Sequence, residues 1–365
     1  MSATTTTTTS PARPESPTAP VILTEVKVTD ANYPFKHLLP HWTKGVSLPP
    51  LEPFEHKDPG HEALKDPEPR SFLKNAKTRD ITPDFGTEIV DGVDLTKLSA
   101  RERAQIALFV AQKGVVVLRN QHNFIQADPQ WQIYDWGAFF GRVHTHPVSG
   151  QPKDYPEFHL VYRDDSATSD ERAYEGRLNR GTLHSDVSYE LQPPGLTTLF
   201  LYSTPPSGGD TLFIDTAEAY NRLSPSFREY LETLEAVHSG FEQAARSVAL
   251  HGADTIKRQP VKHVHPLVRT HPVTKRKVLY VNPGFTREIV GLKKEESDTI
   301  LNLLYSHLLQ GHDFSARANW GEPGTVVLWD NRVTCHSALV DWNSSKMGGI
   351  RHGARVTAQA ERPTL

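Results

Sequence analysis

The sequence predicts a mainly β fold with helical additions, a double-stranded β-helix or jelly-roll barrel. Short apolar runs of strand length recur along the chain, and only a few helical patterns interrupt them. Candidate metal ligands stand far apart in the chain, as a barrel allows when distant strands meet. The 365 residues contain no internal repeat, and barrels of more than about 200 residues often form one unit.

The composition excludes several classes of function. A net charge of −3 provides no basic surface for nucleic acid, and no cluster of Lys and Arg suits a membrane surface. The longest apolar runs, such as 114–118, are too short to span a membrane. The single cysteine, Cys335, excludes a disulfide framework within the chain. We therefore expect a cytoplasmic protein without nucleic-acid or membrane partners, and a homo-oligomer stays open.

The chain divides into three predicted parts. Residues 1–32 begin with a Thr run and several Pro, lack the pattern of a secretory signal, and are predicted to form a disordered tail. Residues 33–79 are rich in Pro, which limits regular structure and predicts an arm wrapped around the main body. The aromatic anchors of this arm are Phe35, Trp42 and Phe54. Residues 80–365 are the predicted jelly-roll domain.

The first elements of this domain have clear boundaries. Ser99 and Glu102 form a capping box that starts a helix, and Gly114 ends it. The run 115–118 is typical of a strand buried on both faces. Aromatic residues over 131–140 predict a second helix.

The rest of the domain alternates strands and helices. Strands are predicted over 196–202, 211–214, 278–282 and 325–329. Helices are predicted over 216–223, 225–237 and 295–309. Ser224 is the N-cap of the helix that starts at Pro225, which suits the first helical position. A charged stretch from Tyr162 to Arg180 predicts a mobile loop before the segment 183–189, whose alternating pattern is typical of a strand or of the end of one.

The segment 183–187 carries His184 and Asp186 two residues apart. On a strand such side chains leave the same face, so an imidazole and a carboxylate can reach one point. A further imidazole would complete the facial triad that holds non-haem Fe(II) and leaves three coordination positions open. The best partner is His336, which follows the predicted strand 325–329. An H-x-D pair alone is a weak signal in a chain with 18 His.

Seven motifs follow one another in a fixed order. They are His144-Thr145-His146-Pro147-Val148, His184-Ser185-Asp186-Val187, Gly208-Gly209-Asp210-Thr211, the segment from His265 to Pro272, Val281-Asn282-Pro283-Gly284-Phe285-Thr286, Trp329-Asp330-Asn331-Arg332 with His336, and Arg351 with Arg355. In this order they resemble the taurine dioxygenase family of Fe(II)/2-oxoglutarate-dependent oxygenases. The length and the Pro-rich arm resemble the fungal members, which implies an alkylsulfonate dioxygenase-like enzyme.

The resemblance implies a metal and a cosubstrate site. His184, Asp186 and His336 would ligate Fe(II) as the catalytic centre, leaving positions for 2-oxoglutarate and O2. Arg351 would bind the distal carboxylate of 2-oxoglutarate, because a guanidinium forks onto both carboxylate oxygens. Thr211 matches the hydroxyl that supports the same carboxylate.

The resemblance also implies a site for a small anionic substrate. His146, the backbone N–H of Val187 and Arg355 match the positions that hold the sulfonate in the family. If the imidazolium of His146 is the donor, activity should fall above its pKa. Ser149 stands where the taurine enzyme carries a Tyr, and the approach to His184 lacks the pattern that contacts the amine. We therefore expect anion binding without amine binding.

The expected activity is hydroxylation of the carbon next to a sulfonate. The products would be sulfite and an aldehyde, with succinate and CO2 from 2-oxoglutarate. One alternative keeps this chemistry but acts on a sulfate ester, an aryloxyalkanoate or an amino acid. Another is a non-catalytic metal-binding barrel, although such a protein would not need the cosubstrate residue Arg351.

Overall fold

The computed structural model describes residues 25, 28, 32–163, 183–321, 324–339, 341–342 and 350–365. Most of the predicted tail, and the predicted mobile loop beyond Arg163, lie outside the described residues. Within the described ranges, no helix has the length and apolar character needed to cross a membrane.

Sixteen strands and seven α-helices build the described part of the chain. The strands are β1 (Lys77–Asp80), β2 (Thr87–Asp91), β3 (Val115–Leu118), β4 (Arg142–Val143), β5 (His159–Arg163), β6 (Pro194–Ser203), β7 (Thr211–Asp215), β8 (Glu235–Ser239), β9 (Lys262–Pro266), β10 (Val268–Thr270), β11 (Lys277–Leu279), β12 (Thr286–Ile289), β13 (Ser315–Ala318), β14 (Val326–Asp330), β15 (Thr334–Ala338) and β16 (Arg351–Gln359). The helices are α1 (Gly60–Leu64), α2 (Ala100–Lys113), α3 (His122–Ile125), α4 (Thr216–Asn221), α5 (Pro225–Glu232), α6 (Phe241–His251) and α7 (Lys294–Leu309).

The large sheet has the strand order β1-β2-β3-β14-β6-β16-β4, and β5 also pairs with β16. Only the β2–β3 pair among these neighbours is parallel, which leaves an otherwise antiparallel sheet. A smaller sheet has the order β13-β7-β15, and β12-β8-β9 and β10-β11 form two more. The two strands that carry the predicted anion-binding arginines and the last metal ligand, β16 and β15, therefore belong to different sheets.

The central strands of the large sheet are buried on both faces. Val117 and Leu199 pack with Phe213 of the smaller sheet in one core cluster. Their neighbour Val116 points the other way and packs with Ile106 of α2 in a second cluster. Successive strand side chains alternate between faces, so burial of both faces requires an uninterrupted apolar run. Each such side chain contributes about 1.5–3 kcal/mol when fully buried. The prediction of a mainly β fold with helical additions is confirmed.

Local signals placed the early elements correctly. Ser99 and Glu102 form both hydrogen bonds of the capping box at the start of α2. Gly114 ends this helix with a φ of 73°, a conformation that glycine adopts without strain. The predicted helix over 131–140 is instead a π-helical turn, Trp131–Trp136, followed by a 3₁₀ turn, Gly137–Phe140.

Two further predictions were wrong. The helix predicted over 225–237 ends at Glu232, and residues 235–239 form β8 because they pair with both β9 and β12. The segment 183–187 is not a strand: only His184 pairs, through an isolated bridge to His336, and a turn follows it. Both outcomes depend on pairing with residues far away in the chain. The local sequence pattern contains no information about such pairing.

Residues of the Pro-rich segment lie against the domain. Phe35 stacks on Tyr202 with ring centroids 4.7 Å apart, and Trp42 stacks on His251 at 3.9 Å. Farther along, Asp58 pairs with the buried Arg332. These contacts tie the segment to the large sheet, to α6 and to the turn before β15. The division into tail, arm and domain stays a prediction.

Candidate active site

Reciprocal backbone hydrogen bonds bring His184 and His336 together. The N–H of His184 donates to the carbonyl of His336 at 2.9 Å, and the N–H of His336 donates to that of His184 at 2.7 Å. Nε2 of His184 lies 3.6 Å, and Nε2 of His336 3.5 Å, from Oδ1 of Asp186. The three ligand atoms lie within 4.8 Å of one another. The structure thus assembles the predicted set from residues up to 152 positions apart, from His184 to His336.

This donor set suits Fe(II). Two imidazoles and one carboxylate on one side of a metal form the facial triad of non-haem iron oxygenases. Asp186 and His336 are buried, whereas His184 keeps part of its ring exposed. Phe213 and Trp329 lie against the His336 ring at centroid distances of 5.7 and 4.9 Å. These two aromatic rings orient the imidazole of His336, and the exposed side of His184 leaves room for further metal ligands.

Asn331 holds the metal-facing carboxylate in place. Its Oδ1 accepts from the backbone N–H of Asp186 at 3.0 Å and from Nε1 of Trp329 at 3.1 Å. Its amide donates to the Thr197 hydroxyl at 2.9 Å, and that hydroxyl lies 3.4 Å from Oδ2 of Asp186. Burial opposes ionisation of Asp186, but the positive charge of Arg355, together with His336 and His184, outweighs it and holds the pKa of Asp186 well below its usual value.

The loop between β11 and β12 supports His184. A Cβ added at Gly284 would lie 2.7 Å from the Cβ of His184, so only glycine allows this approach. Asn282 caps the loop by accepting from the N–H of Phe285 at 2.8 Å. Its amide also donates to the Ser188 hydroxyl at 3.0 Å. This loop is one of the sequence motifs, and its contacts give it a role in placing His184.

A cavity of about 170 Å³ opens beside the triad. Its walls include every site residue that the sequence predicted, and also His159, Gln243 and Phe285. The predicted residues in the wall are His146, His184, Asp186, Val187, Thr211, His336, Arg351 and Arg355. Sequence reasoning assigned no site role to His159 and Gln243, because β5 and α6 were not recognised as elements, and it named Phe285 only as part of the motif 281–286. A lone polar residue in the apolar run 158–162 was the available signal for His159.

The predicted cosubstrate residues lie on β16 and β7. Arg351 is buried, and its Nε donates to the carbonyl of Gly209 at 3.0 Å. Its guanidinium carbon lies 5.8 Å from the ring centroid of Trp320. The hydroxyl of Thr211 accepts from Nε1 of the same Trp320 at 3.3 Å. Trp320 thus contacts both the Arg351 guanidinium and the Thr211 hydroxyl.

Arg355 lies nearer the triad. Its Nη1 donates to Oδ1 of Asp186 at 2.7 Å, and its Nη2 lies 3.1 Å from Nδ1 of His159. Its Nε is buried and has no acceptor among the described residues.

Val187 lies beside the same cavity. It adopts a φ of 35°, which is strained for a β-branched residue, and its N–H has no acceptor in the described part of the chain. Two donors beside the triad therefore lack an acceptor among the described residues.

His146 is a neutral donor. Its Nδ1 accepts from the backbone N–H groups of Val148 at 3.3 Å and of Ser149 at 3.1 Å, which leaves the ring proton on Nε2. Burial, followed by the nearby His159, lowers the pKa of His146 well below its usual value. The condition of an imidazolium donor, on which the predicted fall in activity above the pKa of His146 depends, is therefore not met. His271 repeats this turn, and there Nε2 lies 3.0 Å from Asp330.

Other histidines and the cysteine have structural contacts. His144 pairs with the buried Glu190 at 3.2 Å, and His265 contacts the Glu190 carbonyl at 2.9 Å. Neither ring lines the cavity. Burial raises the pKa of the Cys335 thiol to about 12, so it stays protonated and serves packing.

Comparisons with known proteins agree with this site. The family described as "Taurine catabolism dioxygenase TauD, TfdA family" matches residues 77–357. An alpha-ketoglutarate-dependent sulfonate dioxygenase of Saccharomyces cerevisiae is 44% identical over 328 residues, which cover 89% of this chain and 77% of the relative. The alpha-ketoglutarate-dependent dioxygenase cnsM of Penicillium expansum is 39% identical over 342 residues, 92% of each chain.

A solved structure agrees as well. The crystal structure of a putative alpha-ketoglutarate-dependent taurine dioxygenase from Burkholderia xenovorans superposes with a TM-score of 0.63 and 29% identity. The match covers 79% of this chain and 94% of that one. This similarity confirms the predicted jelly-roll class, although the sheets are mixed and do not close into a barrel within the described residues.

Fold, triad and relatives together define a 2-oxoglutarate-dependent dioxygenase. The chain belongs to the TauD, TfdA family. This confirms the predicted family and the predicted enzyme class. It also confirms the prediction that the enzyme uses Fe(II), 2-oxoglutarate and O2. The roles of individual residues toward the cosubstrate and the substrate stay predictions.

Proposed function

We propose that this protein hydroxylates the carbon next to the sulfonate of a small alkylsulfonate. The products are an aldehyde and sulfite, with succinate and CO2 from 2-oxoglutarate. The relative from Saccharomyces cerevisiae, named a sulfonate dioxygenase, supports this substrate class. The structural observation that carries the proposal is a set of N–H donors next to the triad that have no acceptor among the described residues.

The donors come from three separate segments. They are Nε of Arg355, which is buried, the backbone N–H of Val187 and Nε2–H of His146. A desolvated anion is stable only when donors satisfy its oxygens. Donors on several sides suit the three oxygens of a sulfonate, and anchoring them places the adjacent carbon beside the triad. Binding energy accelerates the reaction in this way, because it holds the reacting carbon in the position from which it reacts.

The cosubstrate has its own residues. Arg351 and Thr211 hold the distal carboxylate of 2-oxoglutarate, while His184, Asp186 and His336 hold Fe(II). When bound, the iron with 2-oxoglutarate activates O2 for insertion of one oxygen atom into a C–H bond. The resulting α-hydroxysulfonate loses its hydroxyl proton, the C–S bond breaks with its electron pair leaving on sulfite, and a carbonyl remains.

The test supplies purified protein with Fe(II), 2-oxoglutarate and air. Pentane-1-sulfonate, taurine, pentyl sulfate and hexanoate are offered separately, and sulfite and succinate are measured together. We expect equimolar sulfite and succinate from pentane-1-sulfonate, and no higher yield from taurine. Succinate release coupled to pentyl sulfate or hexanoate, without sulfite from either sulfonate, would refute the proposed substrate.

A further inference from the structure

The register of the large sheet places His159 opposite Arg355. β5 pairs antiparallel with β16, and these two residues are direct partners in that pairing. Both side chains line the cavity beside the triad. The His159 ring also lies edge-on to that of His146, with centroids 4.6 Å apart. His159 therefore stands among the proposed anion-binding residues, although no sequence motif contains it.

The hydrogen bond to Arg355 fixes the tautomer of His159. A guanidinium has donors and no acceptor, so the contact of 3.1 Å requires Nδ1 of His159 to accept. Burial, followed by the charge of Arg355, keeps the pKa of this imidazole well below its usual value. The proton of the neutral ring is then on Nε2. Among the described residues, no group accepts from that nitrogen.

His159 and His146 therefore share one arrangement. In each ring Nδ1 accepts from a fixed donor of the protein, and Nε2–H remains for a ligand. Each ring is a neutral donor that needs no proton from solution. The cavity wall thus presents donors on Arg355, on the Val187 backbone and on two imidazoles. Such a wall is rich in donors on several sides of a bound anion.

A carboxylate and a sulfonate make different demands on this wall. A carboxylate is planar, and one forked guanidinium can satisfy both of its oxygens. A sulfonate has three oxygens that point in different directions, so it needs donors from more than one side. We propose that His159 is a substrate-binding residue, which accepts from Arg355 through Nδ1 and donates Nε2–H to a sulfonate oxygen. It thereby favours a sulfonate over a carboxylate.

This inference rests on the proposed function and is tested by two substitutions. His159→Asn keeps an acceptor for Arg355 near the Nδ1 position but removes Nε2–H. His159→Phe keeps the ring and removes both nitrogens. His61→Asn, at an exposed position of α1, is the matched control. Calorimetric titration without O2, on protein loaded with Fe(II) and 2-oxoglutarate, measures the Kd of pentane-1-sulfonate and of hexanoate, which share a pentyl tail.

We expect His159→Asn to weaken pentane-1-sulfonate binding by about 10- to 100-fold, the effect of losing a hydrogen bond to an ion. Hexanoate binding should change by less than about threefold. His159→Phe should weaken the sulfonate at least as much, because Arg355 also loses its acceptor. The Kd of 2-oxoglutarate should match that of the wild type in each variant, which excludes misfolding as the cause.

Three results would overturn the inference, in two distinguishable ways. Wild-type protein that releases sulfite while His159→Asn keeps its sulfonate affinity refutes the role of His159 alone. Equal weakening for sulfonate and carboxylate has the same meaning, since the residue would then not discriminate between them. Wild-type protein that neither binds pentane-1-sulfonate nor releases sulfite from it overturns the proposed function and this inference together.

Discussion

Replacing Asn331 by Ala should weaken iron binding by about 10- to 100-fold, the usual effect of removing a partner that orients a metal ligand. Asn331 is buried and does not line the cavity beside the triad, but its Oδ1 accepts from the backbone N–H of Asp186. The substitution leaves that N–H and Nε1 of Trp329 without their acceptor. At about 1–3 kcal/mol for each orphaned donor, the free energy of unfolding should fall by about 2–6 kcal/mol.

The assay separates orientation from stability. Anaerobic calorimetry gives the Fe(II) affinity, and urea denaturation gives the free energy of unfolding. Asn302→Ala, at an exposed position of α7, should leave iron affinity unchanged and alter stability by less than about 0.5 kcal/mol. If Asn331→Ala loses stability as expected but binds Fe(II) within threefold of the wild type, the argument that Asn331 orients the carboxylate is wrong.

Three further predictions concern the site. Asp186→Ala should abolish sulfite release and iron binding, measured side by side, because two imidazoles alone lose the facial geometry; full activity would exclude the triad. Arg351→Ala should raise the Kd of 2-oxoglutarate by about two to four decades, from about 3–5 kcal/mol for a broken buried pair; an unchanged value would move this role to Arg355. Since its lowered pKa keeps His146 neutral, substrate affinity should show no loss attributable to it between about pH 6 and pH 8. A titration in that range present in wild type but absent in His146→Gln would contradict this.

The neutral state of His146 also affects stability. The folded-state pKa is lowered, so the unfolded chain binds a proton more readily. The stability contribution of this ring is therefore complete above the unfolded pKa and decreases as the pH falls below it. Unfolding free energies at several acidic pH values, compared between wild type and His146→Gln, measure this. A smaller loss in the variant is the expected result.

The sequence alone determined the elements whose signals are local. The capping box at Ser99, the glycine at 114 and the doubly buried run 115–118 were all predicted, because caps and apolar periodicity depend on neighbours in the chain. The order of motifs also identified the family and the set His184, Asp186 and His336. These residues are recognisable because metal ligation restricts which side chains can serve.

The tertiary structure decided what depends on contacts between distant residues. Residues 235–239 are a strand because β9 and β12 flank them, against their helical pattern. His184 meets His336 through one bridge that no periodicity predicts. The hydrogen-bond roles of His146 and His159 depend on which donors face their rings, and those donors lie on a turn and on β16. A neutral histidine can carry its proton on either ring nitrogen, and only the groups around the ring determine which nitrogen carries it.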